Sequence, residues 1–491
     1  MLFNSYEFLF LFLPISIGIY FLLCRRKHIL YAKIWLVLSS LFFYSYWNPI
    51  YLPLILVSIV FNYGTGYSLA HESRSRVLKR RTILIIGVCF NLLLLSYFKY
   101  ADFFISNINY LTGEHLKLLN IVLPLGISFF TFTQIAYLAD AYKSKVKEYR
   151  FVNYSLFVTF FPHLLAGPII HHKEMMPQFE DLNNKALSYS NLNTGIFLFL
   201  LGLFKKVVIA DYLAVYANAG FDTTAILSFF EAWISSLSYT LQLYFDFSGY
   251  TDMALGSALM FNIKLPINFN SPYKSINIQE FWRRWHITLS RFMRDYVYIP
   301  LGGNQVSEPK IIFNLFLTFL IGGLWHGAGW TFVFWGFIHG IAIIIHRLWK
   351  KLNVSMPKVL AWFITFNFVN LAWVFFRAKS WESALNVISG MFGINGVMFP
   401  ETYLHVLPKP YLQQLKLFLE IFRVGMGAPV VSWLAIPMIF ISIILVTLFK
   451  NSNEMLAKFE PTGRYMIMTG LVFLIAVLHM SKYSEFLYFR F

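Results

Sequence analysis

Long apolar runs separated by short basic turns set the pattern of this 491-residue chain. A helix needs about 17–25 apolar residues to cross a bilayer. Runs of that kind recur near 6–23, 34–47, 50–70, 82–98, 119–138, 152–170, 192–213, 226–246, 358–376, 430–449 and 464–480. The longer stretch 311–345 reads as one long span or two short ones. The pattern predicts about eleven or twelve crossings in an all-α, polytopic transmembrane helical bundle. A β-barrel would instead show short strands of alternating polarity. Polar interruptions fall at 171–191, 262–310, 377–429 and 450–463. No repeat or low-complexity tract stands out, so residues 1–491 are expected to form a single membrane-embedded domain ending in an aromatic tail, 481–491.

The positions of the basic residues give an expected orientation. Arg25, Arg26 and Lys27 follow the first span, which reads as retained rather than as a cleaved signal, so the first loop is assigned to the cytoplasm and the N-terminus outside. Basic residues recur at 71–81 (Arg74, Arg76, Lys79, Arg80, Arg81), at 143–150 (Lys143, Lys145, Lys147, Arg150) and at 450–464 (Lys450, Lys458, Arg464). The last span then delivers Ser481–Phe491 to the outer side. That tail carries Phe486, Tyr488, Phe489 and Phe491, too aromatic for a free polar tail, and is expected to fold back into an apolar groove. The net charge of +17 therefore reads as topology and contact with lipid headgroups, not nucleic acid. At 58% hydrophobic and 13% charged, the chain is far more apolar than a soluble domain. Cys24 and Cys89 make no metal spacing, and no metal site is expected.

Candidate chemistry stands out against this apolar background. His326 sits in Gly322-Gly323-Leu324-Trp325-His326-Gly327, and His286 closes Phe281-Trp282-Arg283-Arg284-Trp285-His286. Imidazole moves protons near neutral pH, and an ionisable group within a span is a functional-site hypothesis by default. The competing reading of His326 is a helix-packing hydrogen bond; that of His286 is an interfacial residue between Trp282 and Trp285. Asp246, Ser248 and Asp252 place carboxylates in an apolar helix. Such groups must be paired or solvated, and Arg283, Arg284 and Arg294 are the expected partners in a structural polar network. The segment 262–310 holds seven basic residues against three acidic. It serves topology alone or draws in an anionic donor. His163, His171 and His172 flank the Gly167-Pro168 break and are expected at the surface or an interface.

Taken in order, the motifs resemble the membrane-bound O-acyltransferase superfamily, and within it the alginate O-acetyltransferase membrane subunit and its relatives. The resemblance runs through Phe129-Phe130-Thr131-Phe132, Phe160-Phe161-Pro162 with Ala166-Gly167-Pro168, Phe204-Lys205-Lys206, Asp246 to Asp252, Asn268-Phe269, Pro272-Tyr273, Trp282 to His286, Tyr298 to Asn304, and Gly323-Leu324-Trp325-His326-Gly327. It implies a helical bundle with a central tunnel or funnel. His326 would be the general base, and His286 would bind or orient the donor thioester or assist as a polar partner; separately from the resemblance, Arg283, Arg284, Arg294 and Trp325 are candidate donor-binding residues. The resemblance further implies a bacterial inner-membrane enzyme that takes acetyl from a cytoplasmic thioester, acetyl-coenzyme A, with no bound cofactor. A periplasmic esterase-like (SGNH) O-acetyltransferase would then decorate an exopolysaccharide or peptidoglycan. Some relatives, or their small partners, end in a similar aromatic motif, so Tyr488 is a candidate acyl relay; the other reading is an interfacial tyrosine. A lipid-directed acyltransferase and a secondary transporter are the alternatives, the latter without the inverted repeats it would favour.

Overall fold

The computed structural model describes residues 1–71, 79–146, 148, 150–400, 419, 425–460, 462–480 and 487. It is built almost wholly of helices, as expected. The first half holds α1 (Leu13–Arg25), α2 (Ile29–Ser45), α3 (Leu52–Ala70), α4 (Arg80–Leu95), α5 (Ala101–Thr112), α6 (Ile127–Tyr142), α7 (Phe151–Thr159), α8 (Phe161–Leu164), α9 (His172–Glu180), α10 (Tyr189–Phe204) and α11 (Asp211–Phe221). The second half holds α12 (Phe229–Met260), α13 (Ile278–Arg284), α14 (Ile287–Met293), α15 (Glu308–His326), α16 (Trp330–Lys351), α17 (Lys358–Arg377) and α18 (Trp381–Met391). Helices Ala435–Leu448, Ser452–Leu456 and Gly463–His479 follow. A parallel pair of three-residue strands, Met398–Pro400 and Gly425–Gly427, is the single sheet among the described residues.

Six helical stretches there are long and apolar enough to cross a membrane: Phe8–Arg25, Pro49–Ala70, Arg80–Thr112, Glu308–His326, Trp330–Lys351 and Lys358–Arg377. Ile29–Ser45, Ala435–Leu448 and Tyr465–His479 are shorter apolar helices. The run 311–345 is thus two helices, broken at Gly327–Gly329. Four expected spans, 119–138, 152–170, 192–213 and 226–246, are not among these helices, and the first two are interrupted. In 152–170, α7 stops at Thr159, where Phe160 leaves the helical region (φ −46°, ψ 107°) just before Phe161-Pro162. A proline removes an N–H and restricts the residue ahead of it, and Pro168 repeats the effect. In 119–138, the helix starts only at Ile127, because Pro124 and the left-handed Gly126 (φ 71°) hold the preceding chain in a turn.

The long helix α12 organises the interior. Ser228 and Glu231 close a capping box at its start, an arrangement worth about 1 kcal/mol. Its polar side chains lower its hydropathy, and nearly all of them are buried in protein. Tyr250, Met253 and Ala254 face one apolar core with α1, α2, α6 and α7, while Tyr239, Leu241 and Phe247 face a second with α16, α17 and α18. A seven-residue glycine spacing sets its closest packing. Gly195 and Gly202 of α10 meet Gly256 and Gly249 of α12, and a Cβ added at any of the four would fall within 2.7 Å of backbone oxygen on the other helix. Small residues let helix backbones approach in this way. The same device closes the α15–α16 hairpin, where Gly323 packs on Gly336.

Candidate functional site

His326 is the last residue of α15 and is 5% exposed. The α15–α16 hairpin sets its surroundings. Its ring lies 4.8 Å from Trp325, 5.1 Å from Trp335 and 5.1 Å from Phe376 (centroid to centroid), all in edge-on geometry. A cavity of about 40 Å³ touches the residue, lined also by Lys99, Gly126, Ser128, Ala166 and Trp325. That is room for water or a small group. His326 therefore borders a small cavity.

His286 is fully buried, in the left-handed region at φ 42°, ψ 55°. A non-glycine residue there is uncommon, so the surrounding contacts must hold it. Asn268 does this. Its backbone oxygen accepts from Ile287 N–H at 3.0 Å, and its side-chain oxygen accepts from both the N–H and the hydroxyl of Thr288, at 3.2 and 2.6 Å. The Thr288 hydroxyl in turn accepts from Ile169 N–H at 3.0 Å. The ring of His286 packs on Phe247 at 4.8 Å and on Trp325 at 6.2 Å. His286 and His326 thus both pack edge-on against the indole of Trp325. The two histidines and Trp325 that the sequence singled out come together, though 40 residues separate the histidines.

The arginines do not join them. Arg283 is exposed, Arg284 pairs with Glu280 one turn earlier at 2.9 Å, and Arg294 pairs with its neighbour Asp295 at 2.7 Å. None is among the residues lining the His326 cavity. The expected partners of the α12 carboxylates are corrected accordingly. Asp246 pairs with Lys206 at 2.6 Å, and Lys206 also with Asp211 at 2.7 Å; Asp252 pairs with Lys205 at 2.6 Å and accepts from Ser452 at 2.6 Å. The cause is the glycine seam, which draws α10 and the π-helical turn Lys205–Ala210 against α12. Ser248 is buried one turn away, 2% exposed.

The histidines expected at the surface or an interface are buried as well. His171 contacts Asp140 at 3.4 Å and His172 contacts Glu148 at 3.2 Å, while His163 contacts the carbonyl of Phe157 at 3.0 Å. The double break at Pro162 and Pro168 turns this segment into the protein.

Two residues near the site were missed from sequence. His339 of α16 is fully buried and accepts from the Trp282 indole N–H at 3.3 Å, tying α16 to α13. Lys99 donates to the carbonyls of Trp325 and His326 at 2.6 and 2.9 Å. The expected span 82–98 ends one residue short of Lys99, which places it at a span edge rather than inside the apolar run.

One residue of the C-terminal tail, Leu487, is described. Leu487 is 2% exposed, packs in the second core, and donates its N–H to Asp246 at 3.2 Å near the middle of α12. Tyr488 itself lies outside the described residues.

Comparison with known proteins fixes the chemistry class. The model of the membrane-bound O-acyltransferase family matches residues 31–384. The chain belongs to that family. A peptidoglycan O-acetyltransferase of Helicobacter pylori is 49% identical over 527 aligned positions, covering 100% of this chain and 98% of that protein. A probable alginate O-acetylase, AlgI, of Pseudomonas aeruginosa is 42% identical over 80% of this chain and 75% of its own. A teichoic acid D-alanyltransferase of Bacillus subtilis is 29% identical over 53% of this chain and 70% of its own. As a member of the membrane-bound O-acyltransferase family, the protein is a multi-pass membrane O-acyltransferase that uses an acyl donor. Family membership selects acyl transfer over the solute transport that the spans alone left open.

Proposed function

We propose that the protein takes acetyl from a cytoplasmic thioester, acetyl-coenzyme A, and passes it across the bacterial inner membrane to a periplasmic esterase-like transferase that O-acetylates a cell-surface glycan. Peptidoglycan is the favoured polymer, since the relative so named aligns along this whole chain at 49% identity. Alginate is the second candidate, from the AlgI relatives. The observation that carries the reading is the position of His326, buried at the end of α15, backed by Trp325 and His286, and open to a small cavity. A neutral acyl group handed between esters avoids moving acetate through hydrocarbon as an anion, which is costly.

In this reading His326 takes the proton of an attacking hydroxyl, the new C–O bond forms at the acyl carbon, and the C–S bond breaks. The proton then returns to the thiolate, which leaves as a thiol. His286 orients the acyl group or assists as a polar partner. Trp325 walls the acyl site, and the arginines of 262–310 act further out, as an electrostatic attraction for the donor rather than as contacts at the carbonyl.

Tyr488 is the proposed first acceptor. A phenol has a pKa of about 10 against about 8.5 for a thiol, so the phenyl ester remains activated towards an aliphatic hydroxyl. The burial of its neighbour Leu487 supports a tail that turns inward from the outer face. The test is transfer of labelled acetyl from coenzyme A to peptidoglycan in membranes with and without the periplasmic partner. Label on the glycan only with the partner, and only with Tyr488 present rather than Tyr488→Phe, supports the reading. Label on lipid without any partner points to the lipid-directed alternative. Full glycan labelling by Tyr488→Phe removes the relay.

A further inference from the structure

Lys99 sits where α4 passes into α5 through a π-helical turn, Ser96–Tyr100. A π-turn inserts one extra residue and re-aims the side chains that follow, and such turns are frequent at functional sites. Here it aims two consecutive side chains at the end of α15. The Tyr100 hydroxyl donates to the carbonyl of Leu324 at 2.5 Å, and the Lys99 ammonium to the carbonyls of Trp325 and His326. These are carbonyls of the last turn of α15, which has no partners within its own helix and forms the negative end of its dipole. The ammonium also lies 5.9 Å from the centre of the Trp325 ring.

That arrangement satisfies a helix end, but it does not explain why a lysine does it. The stretch Arg80–Thr112 is apolar enough to cross a membrane, and a cation within such a segment is expensive. Among the described residues no carboxylate pairs with Lys99. Tyr100 shows that a neutral hydroxyl on the same turn can hold a neighbouring carbonyl. An ammonium has three donors; two serve α15, and Lys99 lines the same cavity as His326.

We propose that Lys99 is the electrophilic catalytic partner of His326: anchored on the end of α15, its ammonium donates its remaining proton to the carbonyl oxygen of the acyl group in the shared cavity. The inference rests on the acyl-transfer reading of His326. As the hydroxyl oxygen bonds to the acyl carbon, its proton passes to His326 and the carbonyl electron pair moves onto oxygen. Lys99 hydrogen-bonds that oxyanion. Collapse restores the C=O bond, expels the leaving group and returns the proton from imidazolium to it. One element, the end of α15, thereby fixes the base and the oxyanion donor relative to each other.

The test compares Lys99→Met, Lys99→Arg and Tyr100→Phe in the full-length protein in membranes. Acyl transfer is measured together with the Kd of a non-transferable thioether analogue of acetyl-coenzyme A and the thermal unfolding midpoint. Loss of one oxyanion donor lowers kcat by about 10²–10³-fold. Lys99→Met is expected to show that loss with the analogue's Kd within about threefold, Lys99→Arg to recover at least tenfold of it, and Tyr100→Phe to keep kcat within a few-fold. Should Lys99→Met fail to fold, Lys99→Gln, whose amide still donates to the carbonyls, takes its place with the same expectation. Wild-type kcat in the uncharged variant overturns the proposal. So do equal losses in the Lys99 and Tyr100 variants without rescue by arginine, since those mark a helix cap alone. His326→Ala separates the two levels: if that variant transfers acyl, the reading of the site falls. If it is dead while Lys99→Met is fully active, only the role of Lys99 falls.

Discussion

The α10–α12 seam and the α15–α16 hairpin both bury ionisable groups, and they settle them in different ways. In the seam, Asp246 and Asp252 face Lys206 and Lys205 at 2.6 Å, each carboxylate matched by a cation drawn in by facing glycines. In the hairpin, His326 is held among Trp325, Trp335 and Phe376 and opens on a cavity. Both use a glycine contact to bring two helices together, yet one closes around an ion pair and the other leaves room beside an imidazole. Matched charges build structure. An imidazole that aromatic rings hold in place, beside a small cavity, is the arrangement on which the proposed proton transfer rests.

The contrast can be broken from either side. The largest expected effect is on turnover: His326→Ala loses about 10²–10⁴-fold in acyl transfer, the usual weight of general acid–base catalysis, with the unfolding midpoint unchanged in a detergent melt. A parallel drop in midpoint would make the hairpin as structural as the seam. Next comes Lys206→Met, which strands Asp246 and costs about 3–5 kcal/mol of stability. Adding Asp246→Leu to it should return much of that loss, read by the same melts. If the single variant is as stable as wild type, the ion pair does not hold the seam. Gly249→Leu is smaller in free energy, about 1–3 kcal/mol from overpacking, and it should separate α10 from α12. Disulfide trapping of cysteine pairs across the seam would detect the change as a lower cross-linking yield, and an unchanged yield would contradict the close approach.

The smallest effect concerns acid. Burial acts to raise the Glu148 carboxyl, but hydrogen bonds from His172 and the Arg150 N–H outweigh it and hold the carboxyl below its ordinary value. A depressed carboxylate adds stability above its unfolded pKa, about 4.3, and that stability is lost as pH falls through the lower folded value. Melts from pH 7 downward should therefore be flat to about pH 5 and steepen below about pH 4. Glu148→Gln should show a shallower acid limb, and an identical limb would remove this contribution.

The sequence made the hairpin more legible than the seam. The Trp-His-Gly motif, the glycine break after His326 and the paired histidine lie in contiguous, recognisable stretches. His286 required only that the chain return to the same indole. The seam depended on which helix packs on α12, and that information lies in the spacing of Gly195 and Gly202 against Gly249 and Gly256, a pattern visible only when two distant segments are read together. Lys205 and Lys206 lie in Phe204-Lys205-Lys206, but nothing in the linear sequence sets them beside α12 in preference to Arg283, Arg284 and Arg294. Lys99 escaped because an apolar window closes at the first charge, whereas the helix runs on through its π-turn to Thr112. The paired proline breaks at 162 and 168 similarly turned an expected span into a folded-in segment that carries His163, His171 and His172 to buried partners.

The central claim is that His326 stands where a donor from one face meets an acceptor from the other. Sealed inverted membrane vesicles test it directly, with the periplasmic transferase trapped inside and membrane-impermeant labelled acetyl-coenzyme A supplied outside. The account predicts label on the enclosed transferase with the wild-type protein and none with His326→Ala. Label reaching the lumen at the wild-type rate in that variant would contradict it.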